Sequence, residues 1–318
     1  MFDFPESGPD ENMEDGHWNG GHFPDLTQWK PVCSFLGLDL NYVPSIDSYF
    51  INDWKIKLIP FFSVNAIIIT SYIVYITLIR SYIPYSDKHF WMMTILMILF
   101  VVSYFQIIVQ GPGYLPYYYP MELTSRRDHK TDYLSGLVTN KAQLEYVQNQ
   151  PKMLRVSFFQ SARRYVIRPD HFCGWTSTFI GKKNHKQFFL FNFWGVIYIV
   201  LFFIADFRCL FSIVNNRNRS FSIVAFGVII LYMIMALFFV FLTGSFAFST
   251  AIQFSQNTTT FEKLKGSAHK KSMKRCIKSW EEVFGERRKW YLWLLPVGSF
   301  AKISSHDLVK MTHQEYIL

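Results

Sequence analysis

Four long apolar runs divide the chain. Leu58–Ile79, Phe90–Val109, Phe188–Ala205 and Phe221–Leu242 contain no Lys, Arg, Asp or Glu. Each is about 18–22 residues, enough for a helix rising 1.5 Å per residue to cross a hydrocarbon core of about 30 Å. The pattern predicts an α-helical integral membrane protein with four transmembrane helices. Four uncharged runs of this length argue against the alternative, the buried helices of a soluble protein. The chain then reads as an acidic N-terminal tail over 1–53, helices 1 and 2 within 54–110, a polar domain at 111–187, helices 3 and 4 within 188–250, and a C-terminal tail over 251–318. No span carries a charge, which leaves a channel or transporter with little support.

Charge sets the orientation. The formal net charge is +9, although half the residues are apolar and 33 are Phe. Segment 111–187 holds twelve Lys or Arg against five acids, and the tail from Asn257 holds twelve against six. The two short connections on the other side hold only Arg80, Lys88, Arg208, Arg217 and Arg219. The excess of basic residues predicts that the central domain and both termini are cytosolic. The sequon Asn218-Arg219-Ser220 then falls on the lumenal side, close to the membrane. Residues 1–53 carry ten acids and one Lys, the wrong charge for a cleavable signal, so the first span is expected to serve as a signal anchor. The first 25 residues have the composition of a disordered segment. Four cysteines are too few for a disulfide framework, and no Cys-x-x-Cys pair suggests a metal.

Gly111-Pro112-Gly113 predicts an abrupt stop to the second helix. Residues 139–150 read as a short polar helix, while 153–168 mix basic and aromatic residues without a period. After the fourth span, the basic stretch Lys263–Lys278 leads to Trp290-Tyr291-Leu292-Trp293, which reads as an amphipathic segment returning to the membrane surface. The aromatic, basic loop matches no nucleic-acid-binding motif, and no nucleic-acid partner is expected.

The chemistry gathers before the third span, at Asp170-His171-Phe172-Cys173. A thiol two residues from an imidazole suggests a nucleophile with its own base, and an adjacent carboxylate can fix the imidazole tautomer. The alternative for Cys173 is a buried packing thiol. Its companions are Gly181-x-x-Asn184-His185 at the mouth of the third span, Asn257-Thr258-Thr259-Thr260-Phe261-Glu262 after the fourth, Val283-Phe284-Gly285 and Trp293-Leu294-Leu295-Pro296. With Gly-Pro-Gly after the second span, their order resembles the DHHC family of protein S-acyltransferases over roughly residues 55–300.

The resemblance implies transfer of a palmitoyl-type chain from acyl-CoA, through a thioester on Cys173, to cysteines of membrane-associated substrate proteins. Catalytic roles fall to Cys173 as nucleophile, His171 as base and Asp170 as the group orienting it. Gly181, Asn184, Thr259, Thr260 and Glu262 support the site, with Thr260 beside Asp170. Thr259 to Glu262 is also a capping-box spacing, and both readings stand. Lys182, Lys183 and Lys186, with Arg163, Arg164 and Arg168, are candidates to contact the CoA phosphates; the alternative is a role in topology or binding of acidic headgroups. An endoplasmic reticulum or Golgi membrane is the family's default location.

One departure is pronounced. The family's central domain holds two zinc ions on eight Cys and His ligands, and the matching positions here are Glu145, Gln148, Phe158, Phe159, Ala162, Tyr165, Phe172 and Phe179. Zinc is therefore not expected, no cofactor is expected to reside in the protein, and an aromatic core is expected in the metal's place. A catalytically inactive scaffold that keeps the fold is the competing reading.

Overall fold

In the computed structural model, the described residues are 30–35, 38–43, 48–51, 54–83, 85–113, 155–159, 164–215, 222–266, 276–299 and 308. The sequon at 218–220, the polar helix expected at 139–150 and the acidic segment before Lys30 lie outside them. Four helices are long and apolar enough to cross a membrane: α1 (Leu58–Val74, continued by a π-helical turn at Tyr75–Ile79 and a 3-10 turn to Tyr82), α2 (Ser86–Gln110), α3 (His185–Asn215) and α4 (Ile223–Gln256). The protein is a four-span membrane protein. Outward-facing Ile69, Ile95, Ile234, Phe238, Phe241 and Phe248 are exposed along these helices, as surfaces that meet lipid should be.

Every helix outlasts its uncharged run, and α3 shows it most. It continues through Asp206 and Arg208 to Asn215 and buries Asp206 completely. The four runs are uncharged, but the helices extend past them to take in Arg80, Asp87, Lys88, Lys186, Asp206 and Arg208, because helical hydrogen bonding does not stop where hydropathy does.

The shared core runs along α1, α2 and α3, from Val64 and Ile68 through Phe100 and Tyr104 to Tyr198 and Phe202. Gly195 sets the α2–α3 approach, since a Cβ there would lie 2.8 Å from the Phe100 ring. On the side of α2's C-terminus lie two short hairpins, β5 (Val156–Phe159) with β6 (Arg164–Ile167) and β7 (His171–Cys173) with β8 (Thr178–Ile180). The sequence pattern did not reveal these strands, because each is only three or four residues long. Nor did it reveal the four-stranded antiparallel sheet β1–β4 (Lys30–Phe35, Leu38–Val43, Ser48–Ile51, Trp54–Ile56) that precedes α1.

Gly111-Pro112-Gly113 both ends α2 and joins it to the hairpins. Ile167 N–H donates to the Gly113 carbonyl at 2.9 Å, and Lys183 N–H donates to the Pro112 carbonyl at 3.2 Å. Gly113 has φ +83°, which favours glycine. After α4, a one-turn helix α5 (Thr260–Leu264) leads to α6 (Cys276–Phe284) and a 3-10 turn (Arg287–Leu292). This C-terminal segment packs on α3 and α4 through Phe189, Phe254, Trp280, Phe284 and Trp293.

Candidate active site

Asp170, His171 and Cys173 lie at the start of hairpin β7–β8, whose register sets His171 against Ile180 and Cys173 against Thr178. Asp170 enters the hairpin through its own N–H, which donates to the Ile180 carbonyl at 2.8 Å. Its carboxylate is buried and doubly engaged. Oδ2 lies 2.7 Å from His171 Nδ1, and Oδ1 accepts the Thr260 backbone N–H at 2.6 Å. That bond orients the imidazole with its other nitrogen available to the Cys173 thiol, the order a nucleophile, base and orienter require. The edge of the His171 ring meets the Phe188 ring, with centroids 5.0 Å apart.

The electrostatics follow from this chain of contacts. Burial pushes the Asp170 carboxyl up, but the His171 bond, the two nearby imidazoles and the Thr260 N–H outweigh it and hold Asp170 well below the carboxylate range. Burial lowers His171, yet its bonds to Asp170 and Cys173 and their negative charge raise it far above an ordinary imidazole. Burial would raise Cys173; the bond to His171, its positive charge and Thr176 instead bring the thiol down. Both shifts run in the direction that favours a thiolate beside an imidazolium, the reactive form of cysteine.

Gly174 leaves the turn after Cys173 without side-chain packing, and nothing lies near the position of a Cβ there. Neighbours hold the turn instead. Tyr104 of α2 donates its hydroxyl to the Trp175 carbonyl at 2.9 Å, and Thr176 Oγ1 donates to the Cys173 carbonyl at 3.4 Å. Gly181 has a steric reason: a Cβ would stand 2.6 Å from the Pro112 carbonyl oxygen and 3.0 Å from that of Ile167. Asn184 locks the same turn, accepting from Gly181 N–H at 2.8 Å and donating to the Phe179 and Ile107 carbonyls.

Thr259 and Glu262 form the capping box. Thr259 Oγ1 accepts Glu262 N–H at 3.2 Å, and Glu262 Oε2 accepts Thr259 N–H at 2.9 Å. The box is also the platform that aims Thr260 N–H at Asp170, so capping and site support coincide. Thr260 is the first helical residue and Thr259 is extended (φ −100°, ψ 164°), a backbone that accepts proline at 260. Thr260→Pro removes the N–H with little change of path, whereas Thr260→Ala keeps it and loses only the Gln253 contact to Oγ1. The expected result is about a tenfold slower reaction of Cys173 with an acyl thioester in Thr260→Pro, and less than about threefold in Thr260→Ala. Equal rates in the two variants would remove the N–H from the account.

The basic candidates separate. Lys182 is buried and donates its Nζ to the Glu282 carbonyl at 2.7 Å, so it fastens α6. Lys186 does the same for the segment beyond, reaching the Leu292 and Val297 carbonyls at 2.8 and 2.9 Å. Lys183 is half-buried, with its aliphatic stem near Gly113. Arg163 and the Arg164 side chain lie outside the described residues.

Arg155, which had no assigned role, donates to Glu262 and Asn257, and Arg168, a candidate phosphate contact, donates to Asn257 Oδ1 at 2.7 Å. Only the recurrence of Arg in an aperiodic stretch hinted at Arg155. Its partners are about a hundred residues away, beyond the reach of any local pattern.

An apolar cavity opens beside Cys173. Cys173, Trp175 and Phe188 line one end, and Tyr198, Phe202 and Tyr232 line it deeper among the helices. From Phe188 to Phe202 the α3 axis rises about 21 Å at 1.5 Å per residue, so the cavity lining extends well down the helix.

Residues 138–267 match the DHHC palmitoyltransferase family. Through this central domain, about two-fifths of the chain, the protein is similar to that family, in a divergent form with Asp-His-Phe-Cys. Among similar proteins, Palmitoyltransferase PFA3 of Debaryomyces hansenii is 27% identical over 160 residues, 43% of this chain and 39% of that protein. Palmitoyltransferase ZDHHC20 of Homo sapiens is 26% identical over 140 residues, 42% of this chain and 37% of that protein. Probable protein S-acyltransferase 13 of Arabidopsis thaliana is 29% identical over 105 residues, 31% of this chain and 35% of that protein. The matched region thus spans about two-fifths of these relatives' length.

The zinc ions implied by the family do not fit the donors present. Phe159, Tyr165 and Phe179 are buried rings at ligand positions, and a fourth ring, Phe172, is exposed. Phe159 meets Phe179 at 4.6 Å and Phe261 at 5.0 Å between centroids, and Phe172 meets Phe179 at 5.3 Å. None offers the thiolate or neutral imidazole that tetrahedral zinc requires. Glu145, Gln148, Ala162 and the Phe158 side chain lie outside the described residues.

Proposed function

We propose that this protein is a cysteine S-acyltransferase that carries a long acyl chain on Cys173 between acyl-CoA and membrane-associated proteins. The observation that carries the reading is a hydrogen-bonded Asp170–His171 pair serving a Cys173 thiol beside an apolar cavity. The Cys173 thiolate attacks the acyl-CoA carbonyl carbon, the new C–S bond forms, and the CoA sulfur leaves with the proton held by His171. In the second half the acceptor cysteine gives its proton to His171 and attacks the Cys173 thioester, and Cys173 leaves as thiolate. Thioester exchange is close to balanced in energy, so positioning supplies the rate. Lys183, Arg163 and Arg164 remain the candidates for the CoA phosphates. The multi-pass protein is placed in the endoplasmic reticulum or Golgi membrane, with its hairpins and both termini in the cytosol.

Purified full-length protein given labelled palmitoyl-CoA is expected to hold a hydroxylamine-sensitive label and pass it to a cysteine peptide. No label above the Cys173→Ala background in folded protein would leave a scaffold instead. The cavity makes a separate prediction. Ala236 lines it about 15 Å along α4 from Phe246, which packs beside Phe188 near Cys173. Ala236→Phe should therefore shift the preferred donor to a shorter chain. Competition between palmitoyl-CoA and a medium-chain acyl-CoA reads this, and an unchanged preference would place the chain elsewhere.

A further inference from the structure

The loss of all eight family metal ligands leaves the hairpins needing another fastening, and the structure holds one. Arg155, just before β5, grips Glu262 with two parallel bonds, Nε to Oε1 at 2.5 Å and Nη2 to Oε2 at 2.7 Å. The same guanidinium donates to Asn257 Oδ1 at 2.8 Å and to the Asn257 carbonyl at 2.9 Å. Arg168, between β6 and Asp170, donates to the same Oδ1 at 2.7 Å, and its backbone N–H bonds the Arg155 carbonyl. Arg155, Arg168 and Asn257 all hold positive φ, at 34°, 48° and 50°. For Arg this is a left-handed backbone that persists only where surrounding contacts enforce it. Phe261, between Thr260 and Glu262, meets Phe159 at a family ligand position, which adds an apolar joint beside the ionic one.

We propose that the Arg155–Glu262 fork, gathered with Arg168 on Asn257, replaces zinc as the fastening of this domain and positions Thr260 on Asp170, so that the centre works without metal. The mechanical route is short. Glu262 is the acceptor of the Arg155 fork and also half of the capping box that aims Thr260 N–H at the Asp170 carboxylate. A shift of α5 against β5 would withdraw that N–H, loosen His171 and release the thiol. Arg155 and Glu262 are positioning residues: neither touches the reacting atoms. Bidentate pairing matters more than charge alone, because one fork fixes both distance and plane.

The proposal rests on the acyltransferase reading for its activity arm only. The full chain in lipid nanodiscs would be compared as wild type, Glu262→Gln, Arg155→Leu, Arg155→Lys and the Arg155→Leu/Glu262→Gln pair. Site-resolved mass spectrometry follows iodoacetamide alkylation of Cys173 against pH, and labelled palmitoyl-CoA follows loading, each with and without o-phenanthroline. Chelator should alter neither readout by more than about twofold, and metal analysis should find no stoichiometric zinc. Glu262→Gln and Arg155→Leu should move the alkylation midpoint upward by about one pH unit and slow loading about tenfold. The pair should be no worse than the worse single variant, as one shared interaction requires, and Arg155→Lys should fall between. Stoichiometric zinc, a tenfold loss on chelation, or an unmoved midpoint in folded Glu262→Gln would overturn the proposal. Should Arg155→Leu fail to fold, Glu262→Gln decides, since its amide keeps the capping acceptor. A shifted midpoint in a protein that never loads would uphold the fastening and sink the acyltransferase reading.

Discussion

Cys173→Ala is expected to abolish acyl loading while the protein keeps its fold. The thiol is buried against Ile107, Ile180 and Phe188, and losing one sulfur there costs packing of about 1 kcal/mol, within reach of a four-helix core. The chemistry has no substitute. Cys33 and Cys276 stand on other elements, and Cys209 lies deep in α3. Loading followed by hydroxylamine-sensitive label should drop to background, and a thermal melt should stay within a few degrees of wild type. Retained label with an intact melt would mean that another nucleophile carries the chain.

Asp170→Asn should be nearly as severe, with a diagnostic pH signature. Asp170 raises His171, and His171 as a cation lowers Cys173. With Asn the imidazole falls back toward its ordinary range, and the thiol rises toward its own. The wild type should therefore load over a plateau that begins below the ordinary thiol range, where Cys173 ionises, and ends above the ordinary imidazole range, where His171 loses its proton. In Asp170→Asn the rising limb should move to higher pH, and the neutral rate should fall on the order of a thousandfold. An unshifted limb would separate Asp170 from the thiol. Stability carries a related sign. Asp170 and Glu262 both sit below their ordinary carboxyl values. Their stabilising contribution is complete above the unfolded range near pH 4 and fades as pH falls through the lowered folded values.

Much of this was legible along the chain because hydropathy and short motifs are local properties. The four spans followed from length and the absence of charge, and one tetrapeptide with ordered companions singled out Asp170, His171 and Cys173 as neighbours. The capping box at Thr259–Glu262 could be read from a spacing of three. Local signals stopped at partners brought from far away. Nothing near Arg155 pointed to Glu262, and nothing near Lys182 or Lys186 pointed to the carbonyls that occupy them. Both lysines look like solvent-facing phosphate contacts until the C-terminal segment is folded against α3. Asp206 shows a different limit, since the end of an apolar run marks where burial could stop and not where the helix does.

The sequence by itself determined the class of the molecule: a four-span membrane protein with a cysteine, a histidine and an aspartate at one membrane mouth, and aromatic rings at the family's metal positions. Hydrophobic length, basic bias and residue chemistry are written one position at a time, so they survive without coordinates. Only the tertiary structure decided how the site is held: Thr260 N–H on Asp170, the Arg155 fork on Glu262, Tyr104 on the turn after Cys173, and the apolar cavity beside Cys173. Those are pairings across roughly 70 to 110 residues, and such pairings exist only once the helices have packed and the hairpins have closed.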